Sequence, residues 1–203
     1  MSNNRLIIDS QYFPNVNYIY TALKAKDLYI FTSDAYQKMS FFNRTVISGA
    51  NGPINLSLPL HNGRNQRSVI KDVEISFSTK WQEQHWRSIE SAYSRAPYFE
   101  YYAPDIEKLV RSNFKTVLDL NLEILKWLKI VLDSPVRIHI ADSPPPPRCE
   151  DFRYRWLPKN FRDLPLEFQY FQMFEPRFGF QPNLSIIDAL FCAGPSLKTA
   201  LKS

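Results

Sequence analysis

Glycine is scarce in this chain, with five residues in 203. A loop that cradles phosphate needs several glycines at fixed spacing, and neither a P-loop nor a dinucleotide-binding fingerprint occurs. A GxSxG nucleophile elbow and an HExxH metal helix are also missing. Cysteine is rarer still. Cys149 and Cys192 are too few for a disulfide framework and have no metal-ligand spacing, so reduced thiols, no metal and no cofactor are expected. No run of 18 apolar residues exists, and the first residues, MSNNR, lack an apolar core. Membrane insertion and a secretory leader are therefore not expected, and the expected location is cytoplasmic. Charge of one sign is not concentrated either. The formal net charge is +5, but residues 1–143 carry 17 Lys and Arg against 14 Asp and Glu, and the remainder 8 against 6. A nucleic-acid-binding surface calls for a basic stripe, so nucleic acid is disfavoured as a partner.

Apolar and aromatic residues are plentiful, at 44% and 15% of the chain, enough for the core of one sizeable domain. A single domain over 1–203 is expected, with an α/β core in 1–143 and a proline-linked segment, 144–203, packing back on it. The densest stretch is 81–102. Trp81, His85, Ile89 and Tyr93 recur at four-residue spacing and form one stripe of a helix, with Glu83 and Arg87 paired across a turn. Ala96-Pro97 ends that helix. Tyr98, Phe99, Tyr101 and Tyr102 follow as an aromatic corner. A histidine in such a stripe has two readings: a packed, hydrogen-bonded core residue, or a catalyst.

Around this stretch the elements read in order. Arg5–Asp9 is a short buried strand, residues 15–25 a helix, and Asp27 introduces a second strand, LYIFT. Strand, helix, strand predicts a parallel pair with a crossover. Ligands in open α/β sheets sit beyond the carboxyl ends of the strands, where the loops Asp9–Pro14 and Thr32–Lys38 fall. Residues 45–48 and 54–58 flank a Gly/Asn/Pro turn and predict an antiparallel β-hairpin. Val69–Phe77 reads as one more strand. Pro104-Asp105 reads as a helix start, Thr116 and Asp119 as the capping pair of a largely buried helix, and Val136–Ile140 as a strand. Pro144–Pro147 forms a stiff connector. In 148–163, Arg153, Arg155, Lys159 and Arg162 alternate with Phe152, Tyr154, Trp156 and Phe161. Such a segment stacks bases, or lies half-buried with its basic side toward solvent or a sugar nucleotide. Ser185–Cys192 is a last helix, stopped by Gly194, with Asp188 either a cap partner of Ser185 or a ligand. The expected class is α/β, a mixed sheet flanked by helices.

Several of these pieces stand together in a known pattern. They are Tyr12-Phe13-Pro14 with Tyr18, Tyr36-Gln37-Lys38, Asn43-Arg44, Asn51-Gly52 before Leu58-Pro59, and Asp72-Val73-Glu74-Ile75 leading to Trp81. His85-Trp86, Ser91-Ala92-Tyr93 and Pro97-Tyr98-Phe99 continue it. Phe174, Gly179-Phe180, Pro182-Asn183-Leu184-Ser185-Ile186, Asp188-Ala189-Leu190-Phe191 and Gly194-Pro195 close it. In this the chain resembles the WbqC-like family, bacterial proteins associated with surface-polysaccharide and O-antigen gene clusters. It departs from that pattern in two places. Asp9-Ser10 stands where the family has glutamine-proline, and the family's acidic residue at the end of the second strand is replaced around Thr32-Ser33, with Asp34 the nearest carboxylate.

The resemblance implies an enzyme of cell-surface polysaccharide biosynthesis that transfers a group to or from an activated sugar or aminosugar. On that reading His85 is the general base, because its pKa lies near neutrality. Lys38 and Arg44 anchor phosphate. Trp81, Tyr93 and Tyr98 form an aromatic wall for a sugar ring, and Tyr12, Gln37 and Asn43 add hydrogen bonds. The expected partner is a small sugar or nucleotide-sugar. A non-catalytic binding or scaffold protein of the same pathway, with His85 structural, and an RNA-binding module are the alternatives.

Overall fold

The apolar runs at the start of the chain pair in parallel. Strands β1 (Arg5–Ile7) and β2 (Asp27–Phe31) place Arg5 opposite Asp27 and Ile7 opposite Tyr29. The computed structural model describes residues 4–142, 147–165 and 168–202; part of the proline connector, 143–146, lies outside them. The crossover that a parallel pair requires is helix α1 (Val16–Lys24), capped by the Asn15 side chain, which accepts from the Tyr18 N–H at 2.9 Å. The hairpin follows as β3 (Arg44–Ile47) and β4 (Ile54–Ser57), antiparallel, with Arg44 opposite Ser57 and Val46 opposite Asn55.

Three helices then cover the core: α2 (Trp81–Tyr93), α3 (Phe99–Val110) and α4 (Val117–Val131). At the head of α4 the Thr116 hydroxyl accepts from the Asp119 N–H and donates to the Asp119 carboxylate, the reciprocal cap expected from sequence. Two further parallel strands complete the sheet. β5 (Arg137–Ala141) joins β2 and β6 (Glu150–Asp151) joins β1, giving the order β5-β2-β1-β6. The chain closes with a short helix α5 (Glu175–Phe178), the buried helix α6 (Ile186–Ala193) and α7 (Ser196–Lys202). The expected mixed α/β architecture is the observed one, and among the described residues no helix is long and apolar enough to cross a membrane.

Two expected elements differ. Val69–Phe77 is not a strand: Ile70–Asp72 is a turn of 3-10 helix, and the residues after it bond singly to different partners. Ile75 donates to Lys115, while Val73 and Glu74 accept from Val117 and His61. Alternating burial of Val73 and Ile75 imitates a strand without a neighbouring strand to pair with. Helix α3 also begins five residues earlier than Pro104 indicates. Pro104 has no N–H for the Glu100 carbonyl, a loss offset by burying Phe99, Tyr102, Ala103 and Ile106 on one face.

The segment after the prolines is tied to the first forty-eight residues by backbone bonds. Val16 donates to Leu184, Ile186 to Pro14, and Ser185 to Val46. The Phe13 carbonyl accepts from Thr45 Oγ1 at 2.7 Å and from Ser185 Oγ at 3.0 Å. These contacts hold Phe13 at φ 38, a backbone region costly for a residue with a side chain. At the far end of α6, Gly194 adopts φ 54 directly over the Tyr98 ring, where an added Cβ would stand 2.5 Å from Tyr98 Cγ. Gly194→Ala is therefore expected to lower the free energy of unfolding by about 2 kcal/mol or more, from left-handed strain and a forced ring shift. Urea unfolding checks this; an unchanged midpoint would mean that Tyr98 moves aside freely.

Candidate functional site

Strand β1 does not run out into solvent. The Ile8 N–H still bonds the Tyr29 carbonyl, and the next three residues, Asp9, Ser10 and Gln11, are 8%, 3% and 2% exposed. They end in a narrow cleft at the carboxyl ends of β1 and β2. Its polar lining is Asp9, Ser10, Asp34, Gln37, Ser40 and Tyr154, over a floor of Ile8, Ile30 and Phe42. This is the position where open α/β sheets bind ligands.

Asp9 is the chemically unusual group. One carboxylate oxygen accepts from Gln11 Nε2 at 3.0 Å and the other from the Tyr154 N–H at 3.1 Å. No cation forms an ion pair with it among the described residues. Burial pushes its pKa from 3.8 up to about 6, against the lowering effect of the two hydrogen bonds, and the nearby Asp34 charge adds to the rise. Beside it, the Ser10 hydroxyl and the Gln11 side-chain carbonyl are buried with no hydrogen-bond partner. Unpaired buried polar groups are costly and uncommon, and they cluster where a ligand supplies the missing bond.

The cleft is closed from the C-terminal side. Arg153 donates from Nη1 to Asp34 at 2.8 Å and from Nη2 to Asp151 at 2.6 Å, and its guanidinium lies 5.9 Å from the Phe31 ring centre. Tyr154 follows at φ 59. The free space left is about 10 Å³, about the size of one water. Asp34, one wall of that space, is held in place by Arg153.

The residues singled out in sequence fall into separate places. Tyr12, Trp81 and His85 form one buried cluster: the Tyr12 hydroxyl lies 3.1 Å from His85 Nδ1, and the Trp81 ring packs edge-on against the imidazole at 5.2 Å. His85 is 5% exposed. Burial lowers its pKa to about 4, and a backbone hydrogen bond at Ser57 opposes that only in part. Tyr93 is also buried. It donates to the Asp188 carboxylate at 2.7 Å and accepts from the Ser48 N–H. Asp188 accepts a second bond, from Tyr170 at 2.8 Å, so its side chain serves this network and Ser185 caps α6 alone. Burial raises Asp188 to about 6. Tyr98 is half-buried beneath Gly194.

Asn43 is buried and donates to the Leu58 carbonyl, bracing the hairpin. Arg44 is half-buried at the start of β3, and Lys38 is exposed. Of the nine, Gln37 alone lines the cleft at Asp9. Asp9, Ser10, Asp34, Arg153 and Tyr154 were not assigned roles from sequence. Their signal was positional: the loops that follow two parallel strands, and the basic, aromatic stretch after the prolines.

A family model described as the WbqC-like protein family matches residues 9–148, which takes in β2, β5, the hairpin and helices α1 to α4. No curated protein and no solved structure matches the chain.

The buried setting of His85 generates a direct expectation. His85→Asn keeps at most the Tyr12 side of the ring's contacts, loses the backbone bond at Ser57 and opens space against Trp81, so it should lower the unfolding free energy by about 1–3 kcal/mol. Denaturant titration of the variant beside Tyr12→Phe checks this. An unaltered stability would show that the imidazole is not part of the packing.

Proposed function

The chain belongs to the WbqC-like family, and from that premise we propose that it is a group-transfer enzyme. Its substrate is a sugar or nucleotide-sugar, and its setting is bacterial cell-surface polysaccharide biosynthesis. The observation that carries the reading is Asp9: a buried carboxylate at the end of a central parallel strand, paired with no cation among the described residues, raised to about 6 and flanked by a serine hydroxyl with no partner among them. A base works best with a pKa near the operating pH. His85, at about 4 and enclosed by Tyr12 and Trp81, fits a structural role better, so the base role passes to Asp9. The departures from the family pattern support this exchange. The chain lacks the acid at the end of the second strand, and Asp9 brings a carboxylate to the same cleft from the end of the first.

In the transfer step the attacking hydroxyl or amine gives its proton to Asp9 as its oxygen or nitrogen bonds to the transferred group. The leaving group departs with the electrons of the bond that breaks. Ser10 and Gln37 orient the acceptor by hydrogen bonds. Arg153, released from Asp34, admits the substrate and on return excludes water, which strengthens every electrostatic contact inside.

Asp9→Asn tests the reading on two axes. Turnover with nucleotide-sugar donors should fall by about 10²–10⁴-fold, the usual contribution of general acid–base catalysis. Stability should move the other way. Because the native pKa is raised above the ordinary value, ionisation of Asp9 opposes folding, so wild-type stability declines as pH rises from about 4 through about 6. The variant lacks that loss, and its stability relative to wild type should increase over the same interval. Wild-type turnover in Asp9→Asn removes the base role. Failure of any nucleotide-sugar to raise the melting temperature of the wild type favours the scaffold reading instead.

A further inference from the structure

A second cleft, on the outer face of the hairpin, has the opposite electrostatic character. Residues 157–163 fold into a tight turn in which the Asn160 and Phe161 N–H groups both donate to the Leu157 carbonyl. The Asn160 side chain closes the turn on the Leu157 N–H at 2.9 Å, and Asn183 Nδ2 holds the Phe161 carbonyl at 2.7 Å. Phe161 points inward, edge-on to Phe41 at 5.2 Å and packed with Val46 and Leu184. With Phe161 anchored, Lys159 and Arg162 are left on the rim of a cleft of about 310 Å³, whose opposite wall is Val46 and Asn55. That volume is within the lower range of small-molecule sites.

The charges around it are unspent. Lys159 and Arg162 are exposed, and neither forms an ion pair among the described residues; the Arg162 guanidinium rests 5.4 Å from the Phe161 ring centre. Asp163 also lines the cleft, without an ion pair to either. Arg44 lies two residues before Val46 on β3, hence on the same face of the hairpin, and its Nε is buried without a partner. Two cations, Lys159 and Arg162, therefore line the cleft with one carboxylate, Asp163. A planar guanidinium and an ammonium presented across an open polar cleft match the oxygens of a phosphate. The cleft at Asp9, lined by Asp9 and Asp34, repels the same group. Both clefts border residues 40–46: Ser40 and Phe42 line the first, while Phe41 packs the turn of the second and Val46 lines it.

We propose that the cleft between β3–β4 and the 157–163 turn is a phosphate-binding site for a small molecule bearing a phosphomonoester or diphosphate. It stands apart from the Asp9 chemistry, and its test reads binding alone. Titration calorimetry of the full chain with inorganic pyrophosphate, and separately with uridine diphosphate, should show saturable binding of both. Lys159→Gln with Arg162→Gln, at exposed positions, should weaken both by about tenfold or more, as the loss of charge-assisted hydrogen bonds predicts. Asn55→Glu, which sets a carboxylate on the opposite wall, should do the same without touching the turn. Arg87→Gln on α2 is the control and should bind as wild type. The proposal is overturned if pyrophosphate gives no binding up to about 10 mM, or if the cleft variants bind it as tightly as wild type. It is equally overturned if a single-stranded oligonucleotide binds through the same residues and pyrophosphate does not compete.

Discussion

Everything around the candidate site depends on β1 having a parallel neighbour on each side. A strand enclosed between β2 and β6 delivers its carboxyl end into the protein interior, and whatever polar residue follows is desolvated. Two aspartates at opposite ends of the sheet show what this does. Asp27, at the amino end of β2, meets Arg137 through two bonds of 2.8 Å and His139 through another, and these hold its pKa down at about 2. Asp9, at the opposite end of the neighbouring strand, accepts from the neutral Gln11 amide and Tyr154 N–H and rises to about 6. The same side chain is a structural clamp in one place and a proton acceptor suited to neutral pH in the other. Partner charge and burial decide between them, not residue type.

A second constraint brings distant segments to that strand end. The Phe13 carbonyl, accepting from Thr45 and Ser185, fixes the hairpin and α6 to the loop that leaves β1. Strand β6 is only two residues long, yet its pairing with Leu6 and Ile7 sets Arg153 and Tyr154 over Asp9. The turn at 157–163 follows directly, so one short segment closes the acidic cleft and builds the cationic one. The buried pairs Tyr12–His85 and Tyr93–Asp188 lie behind these surfaces as satisfied polar contacts of the core.

The fold was legible where local chemistry and tertiary contact agree. Asn15, Thr116 and Ser185 cap helices that their sequences announce, and the two runs flanking the Gly/Asn/Pro turn pair as an antiparallel hairpin. Val69–Phe77 misled because alternating burial arises without a ladder. Pro104 misled because a buried aromatic face outweighs one missing hydrogen bond. The site was legible as a place, through the loops after β1 and β2, and not as a set of residues. Trp81, His85 and Tyr93 have the spacing of a helix face, which is the same whether that face meets core or ligand. Asp9 is partnered by Tyr154 across 145 positions, and no local pattern carries information over that span. Arg153 owes its place to β6, too short for any periodicity to show.

The account stands on Asp9 being a buried, uncompensated carboxylate, and carbon-13 NMR of its carboxyl carbon measures that directly. Titration of the free protein, with the resonance assigned through Asp9→Asn, should give a midpoint near 6. A midpoint at or below the ordinary 3.8 would place Asp9 in water or beside a cation, and would contradict its role as the proton acceptor of this cleft.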